Sequence, residues 1–287
     1  MSNEKDLTMT QTFELAVQNH QNNNLQEAQN YYQRVLKIDP NYVAAHYNIG
    51  LIFESSNEYQ KAKNCYEKVI EINPNYVDAY FNIGIIFKEE GEYQKAKNYY
   101  EKVIEINPNH LGAYNNLGNI FKEEGEYQKA KSCYEKVIEI NPNYAPALNN
   151  IGVIFQDLKE YQKAKNYYEK VIEIDPNYSD GLNNLGNIFK EEGEYQKAKN
   201  YYEKVIEINP NYAPAHNNLG NIFKEEGEYQ KAKSCYEKAI EFDPLNKKYM
   251  VTYGNILLNL NDNLRGYEYI KKGQGVIKFT PSYYKII

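Results

Sequence analysis

A single period governs this chain. Prolines stand at Pro40, Pro74, Pro108, Pro142, Pro176, Pro210 and Pro244, each 34 residues after the last. Glycines keep the same beat at Gly50, Gly84, Gly118, Gly152, Gly186, Gly220 and Gly254. So do the alanines Ala28, Ala62, Ala96, Ala130, Ala164, Ala198 and Ala232, each followed four residues later by a tyrosine, Tyr32 through Tyr236. The stretch NNLGNIFKEEGEYQKAK occurs three times unchanged, beginning at Asn115, Asn183 and Asn217. A length of 287 residues alone would suggest about two domains. A fixed period overrides that expectation, because repeated units stack into one continuous core.

Each beat has a physical cause. In the unit from Asp78 to Pro108, Tyr80, Ile83, Gly84 and Phe87 fall at i, i+3, i+4 and i+7, one face of a first helix. Gly91 ends it, since glycine enters the left-handed conformation without penalty. Gly125, Gly193, Gly227 and Asn57 hold the equivalent place; Lys159 is the exception and predicts a different corner. A second helix follows with Tyr93, Ala96, Tyr100, Val103 and Ile104 on its apolar face, and Pro108 stops it. A mid-helix glycine such as Gly84 costs about 1 kcal/mol against alanine. Its recurrence therefore calls for a packing reason, here expected to be close approach to the alanine of the second helix.

The spacing of Tyr80, Ile83, Gly84, Phe87, Tyr93, Ala96, Tyr100 and Pro108 resembles the tetratricopeptide repeat (TPR) family. The resemblance implies an all-α fold, a right-handed superhelical solenoid of antiparallel helix pairs. It divides the chain into seven units, 9–42, 43–76, 77–110, 111–144, 145–178, 179–212 and 213–246, and a degenerate eighth, 247–273. Residues 1–8 are expected to be a flexible N-terminus. The tail GVIKFTPSYYKII, within 274–287, breaks the pattern and is expected to cap the last helix or dock elsewhere.

Composition excludes several functions. Net charge is −6, and Lys and Glu are interleaved in every unit, so no basic patch offers itself to nucleic acid. The opening MSNEKDLTMT does not read as a secretory signal, and no apolar run is long enough for a membrane span. A cytoplasmic protein is expected. The three cysteines, Cys65, Cys133 and Cys235, share one repeat position and lie at least two units apart, out of reach for a disulfide or a Cys-based metal site. The four histidines, His20, His46, His110 and His216, fall in four different units. With no nucleophile motif, phosphate-cradling loop or ligand pair, neither an enzyme activity, a cofactor nor a metal is expected.

What remains is asparagine. On the first helix of successive units stand Asn48, Asn82, Asn116, Asn150, Asn184 and Asn218. Three residues further on come Asn119, Asn187 and Asn221, on the same stripe. Asparagine is a mediocre helix former. The polar face of the second helix (Gln94, Lys95, Lys97, Glu101, Lys102, Glu105) consists of good ones, with asparagine in one slot only, Asn98. Compositional bias alone would have marked both faces. In the TPR family the first helices line a concave groove, so the resemblance places this stripe there. An amide offers donors and an acceptor together, matching the backbone of an extended peptide of any sequence. The stripe resembles the asparagine-lined TPR arm of O-linked N-acetylglucosamine transferases, without the catalytic domain. The family's other use, clamping an acidic C-terminus, needs inner-face Lys and Arg; the corresponding slots hold Phe13, Val17, Asp78 and Gly112. The expected function is a non-catalytic scaffold for protein or peptide partners. The alternatives are a self-assembling homo-oligomeric module, or a substrate-recruiting arm for a separate enzyme such as a glycosyltransferase.

Overall fold

The computed structural model describes residues 7–274 in full, and the backbone of 277–280 and 283–286. The expected flexibility of residues 1–6 lies outside the described residues. The described chain contains sixteen helices in eight consecutive pairs. They are α1 (Met9–Gln21) with α2 (Leu25–Ile38), α3 (Val43–Ser55) with α4 (Tyr59–Ile72), α5 (Val77–Glu89) with α6 (Tyr93–Ile106), and α7 (Leu111–Glu123) with α8 (Tyr127–Ile140). Then follow α9 (Ala145–Asp157) with α10 (Tyr161–Ile174), α11 (Ser179–Glu191) with α12 (Tyr195–Ile208), α13 (Ala213–Glu225) with α14 (Tyr229–Phe242), and α15 (Lys247–Asn259) with α16 (Asn263–Gln274). The degenerate eighth unit is thus a complete helix pair. Beyond it β1 (Ile277–Thr280) and β2 (Tyr283–Ile286) pair antiparallel, Ile277 opposite Ile286 and Thr280 opposite Tyr283. This short hairpin follows the all-α array of helix pairs.

Contacts divide the chain into two compact units, Met1–Pro142 and Asn143–Ile287. In the first, each helix packs on its chain neighbours from α1 through to α8. In the second the same holds from α9 to α16, and the first helices α9, α11 and α13 also meet one another. Thr8 belongs to the first helix rather than to a loose terminus. Its hydroxyl accepts from the Gln11 N–H (3.2 Å), and the Gln11 amide accepts from the Thr8 N–H (3.0 Å), a reciprocal cap.

The corner within each pair is uniform. At Gly91 (φ +75°), the Gly91 N–H reaches Lys88 O (3.0 Å) and the Glu92 N–H reaches Phe87 O (2.8 Å), closing the helix end. Lys159 does not make a different corner. It takes φ +60° and repeats the bonds, Lys159 N–H to Gln156 O (2.9 Å) and Glu160 N–H to Phe155 O (2.8 Å). The neighbouring hydrogen bonds impose the left-handed conformation on a residue that does not favour it.

The mid-helix glycines make room for tyrosine rather than alanine. A Cβ on Gly118 would sit 2.7 Å from the Tyr134 ring, and one on Gly186 would sit 2.5 Å from that of Tyr202. Tyr32, Tyr66, Tyr100, Tyr134, Tyr168, Tyr202 and Tyr236 are completely buried, each the largest side chain of its layer. A ring of that size removes roughly 150–250 Å² from water, which outweighs the propensity cost of the glycine. Among the described mid-helix glycines of the first helices, Gly254 in the last pair is the one that meets backbone. There Gly266 and Ile270 replace the alanine and tyrosine, and a Cβ on Gly254 would lie 2.7 Å from Gly266 O. Between units, lysines bridge to the next corner, as Lys97 does to Glu124 (2.9 Å) while lying over the Phe121 ring (5.4 Å).

Candidate peptide-binding surface

The buried tyrosines set the chemistry of the stripe. Burial pushes each hydroxyl's pKa up, to about 12 at Tyr32 and further at Tyr66, Tyr134 and Tyr202. Each therefore stays a protonated donor and needs an acceptor. Tyr134 donates to Asn119 Oδ1 (2.7 Å), Tyr202 to Asn187 Oδ1 (2.8 Å) and Tyr236 to Asn221 Oδ1 (2.8 Å). In two units an aliphatic residue stands in place of that asparagine and another acceptor serves. With Leu51, Tyr66 donates to Glu54 (2.5 Å); with Val153, Tyr168 donates to Gln156 (2.8 Å).

The second set of asparagines ties units together. Asn184 Nδ2 donates to Asn149 Oδ1 (3.0 Å), and Asn218 Nδ2 donates to both Asn183 Oδ1 (3.0 Å) and Asn187 Oδ1 (3.0 Å). Thr252 continues the pattern onto Asn217 Oδ1 (3.3 Å). The bonds to Asn149, Asn183 and Asn217 each span 35 residues, one period plus one, and the second bond of Asn218, to Asn187, spans 31. Asn82 obeys the same rule with a different acceptor, the Tyr47 hydroxyl at 3.2 Å. Asn116 finds Phe81 at that place, which accepts nothing, and turns to the Tyr100 hydroxyl (3.3 Å). Asn48 donates to Ala44 O in its own helix (2.8 Å), and Asn150 holds the equivalent position on α9.

The predicted site residues are thus brought together within each unit of the chain: Asn48, Asn82, Asn116 and Asn119 in the first, Asn150, Asn184, Asn187, Asn218 and Asn221 in the second. All are half-buried. They are also fold residues, a role the sequence reading did not give them. Asn149, Asn183 and Asn217, the acceptors of the rung, were missed. They are 7%, 5% and 3% exposed. The Asn-Asn doublet at one-period spacing was the available signal. Asn115, the same member of its doublet, has a buried Oδ1 with no hydrogen-bond partner among the described residues.

On the first helices from α3 to α13 the acidic and lysine side chains stand only near the helix ends, as Asp78, Lys122 and Glu123 do. On α7 no residue before Glu123 is fully exposed, whereas α8 exposes a residue every turn or so. The histidines serve structure: His46 and His216 reach Pro40 O (2.9 Å) and Pro210 O (2.8 Å), and His110 Nδ1 accepts from the Ala113 N–H (3.0 Å) to cap α7. Burial raises the thiols of Cys65, Cys133 and Cys235 to about 11, away from reactive thiolate. Among the described residues no group of three or more His, Cys, Asp or Glu could hold a metal, and no helix is long and apolar enough to cross a membrane.

Comparison with known proteins agrees with this architecture. The tetratricopeptide repeat family model matches residues 43–76, 77–110, 112–144, 145–178, 179–212 and 213–246, and a second TPR repeat model matches 19–56. A comparison with curated protein sequences finds no match. Among solved structures, a tetratricopeptide repeat protein from Parabacteroides merdae superposes with a TM-score of 0.67 at 18% identity, over 80% of this chain and 91% of that one. Cut9 and Hcn1 of the APC/C hetero-tetramer give 0.69 at 16% identity, over 86% of this chain and 49% of the matched one. Pseudomonas aeruginosa pilF gives 0.58 at 24% identity, over 67% and 88%. With six consecutive repeats matched and the same helix pairs in the structure, the chain belongs to the tetratricopeptide repeat family.

Proposed function

We propose that this chain is a non-catalytic scaffold whose first helices hold extended segments of partner proteins through the asparagine stripe. Tetratricopeptide repeats generally mediate protein and peptide binding. The observation that carries the finer reading is the amide network of α9, α11 and α13. Asn150, Asn184, Asn187, Asn218 and Asn221 lie half-buried on helices that meet side by side, and internal hydrogen bonds fix several of their amides. Amides held in place lose little freedom when a ligand arrives, which reduces the cost of binding. The three unpaired, half-buried thiols suit a cytoplasmic setting for this scaffold.

The test begins with an array of extended peptides probed with the full chain. The strongest binder is then titrated against Asn184→Ala/Asn218→Ala and against Gln196→Ala/Asn200→Ala. The latter removes an exposed hydrogen-bonded pair on α12. At about 0.5–1.5 kcal/mol per bond, the first variant should bind about tenfold more weakly and the second unchanged. Equal affinity in both variants, each shown folded by its thermal transition, removes the stripe from the mechanism.

A further inference from the structure

In the first compact unit the stripe changes character. Leu51 and Ile85 stand where later repeats have Asn119, Asn187 and Asn221, and both are half-buried. Between α3 and α5 they open, with Ile86, onto a cleft of about 370 Å³ edged by Glu54 and Glu89. That volume falls within the range of ligand clefts, toward its lower end.

Glu54 is the distinctive residue. At its repeat position four other units carry lysine: Lys88, Lys122, Lys190 and Lys224. The second unit thus reverses the sign. Glu54 makes no ion pair among the described residues; the Tyr66 hydroxyl donates to it at 2.5 Å and holds the carboxylate at the rim. Glu89 across the cleft is exposed, with Lys88 its cationic neighbour at 3.4 Å. An aliphatic floor beneath a fixed, cation-free carboxylate selects a ligand that is apolar and basic at once.

We infer that this cleft takes an extended segment carrying a branched aliphatic side chain and, two residues away, a lysine or arginine. Alternate residues of an extended chain face one side, so the aliphatic group rests on Leu51 and Ile85 while the cation meets Glu54. The inference rests on the scaffold reading above and gives it a specificity that a row of amides lacks.

The test uses the full chain and two labelled peptides, Gly-Ser-Ile-Ser-Lys-Ser-Gly and its counterpart with Glu for Lys, read by fluorescence anisotropy. Glu54→Lys recreates the combination of aliphatic residue and lysine that Ile85 and Lys88 already make in the next unit, so it is expected to fold. Leu51→Asn likewise installs the residue of later repeats. The unmodified chain should prefer the lysine peptide. Glu54→Lys should weaken that peptide about tenfold or more and reverse the preference; Leu51→Asn should weaken both peptides. Failure of the chain to distinguish the peptides, or lysine-peptide binding indifferent to both substitutions, overturns the inference. So does self-association that Glu54→Lys abolishes with neither peptide bound, which assigns the cleft to a second copy. Array peptides that bind independently of Glu54 leave the scaffold reading intact while this inference fails. An array with no binder at all removes both.

Discussion

Lys159 holds φ +60° at a corner where four other units place glycine and three place asparagine. A side chain in that conformation costs about 1 kcal/mol or more. Lys159→Gly should therefore raise stability by about 1 kcal/mol, seen as a higher urea midpoint with unchanged slope. Gly118→Ala should do the reverse. Its Cβ would lie 2.7 Å from the Tyr134 ring, and forcing a methyl into a filled layer costs about 1–3 kcal/mol. His110 offers a pH test. Burial lowers its pKa below the ordinary 6.5, and its Nδ1 must stay unprotonated to cap α7. The unfolded chain takes up the proton first as pH falls. This share of stability is therefore complete above about pH 6.5 and is lost as pH drops through the lower folded value. His110→Tyr, the residue of five other units, should flatten the fall in urea midpoint between about pH 7 and pH 5. His20 and His216, also lowered by burial, still contribute in the same direction.

Between helices, the asparagine rung is the element that distinguishes this array. Asn218→Ala would leave the buried Asn183 Oδ1 without its donor, a loss of about 1–3 kcal/mol. Asn183→Ala/Asn218→Ala should cost less than the two single changes summed, because the second removes the acceptor the first has orphaned. A double-mutant cycle by urea denaturation measures the difference; strict additivity would mean the 3.0 Å contact carries no coupling. The helices themselves were readable from the chain because their causes are local. Apolar spacing, the corner glycine and the stopping proline place each pair; Thr8, expected in a flexible terminus, instead caps the first helix. The roles of Asn116, Asn119 and Asn218 were not readable in the same way. Their partners lie 16, 15, 31 or 35 residues away. Which partner is used depends on what stands opposite: Phe81 sends Asn116 to Tyr100, while Asn183 receives Asn218. The expected approach of glycine to alanine failed for a related reason, since the ring four residues on fills the space first.

For the whole molecule, stability should behave as a sum over pairs and their junctions. Excising residues 179–212 would bring Asn218 opposite Asn149 in place of Asn183, with Val153 where Asn187 stood, so one of its two bonds disappears. The shortened chain should fold with the same helicity per residue and a lower urea midpoint. Circular dichroism and denaturation check both; an unfolded product would mean that pairs are not interchangeable. The rung has a consequence for how such a chain changes over generations. From Asn149 onward each Asn-Asn doublet presents a plug, its second asparagine, and a socket, its first, and the plugs of Asn184 and Asn218 seat in the sockets of Asn149 and Asn183. Inserting or deleting a whole period within this run then leaves each plug facing a socket. Thr252 closes the series at one end, and Phe81 interrupts it at the other. The run from Asn149 to Thr252 is the part whose copy number is free to drift while its ends stay fixed.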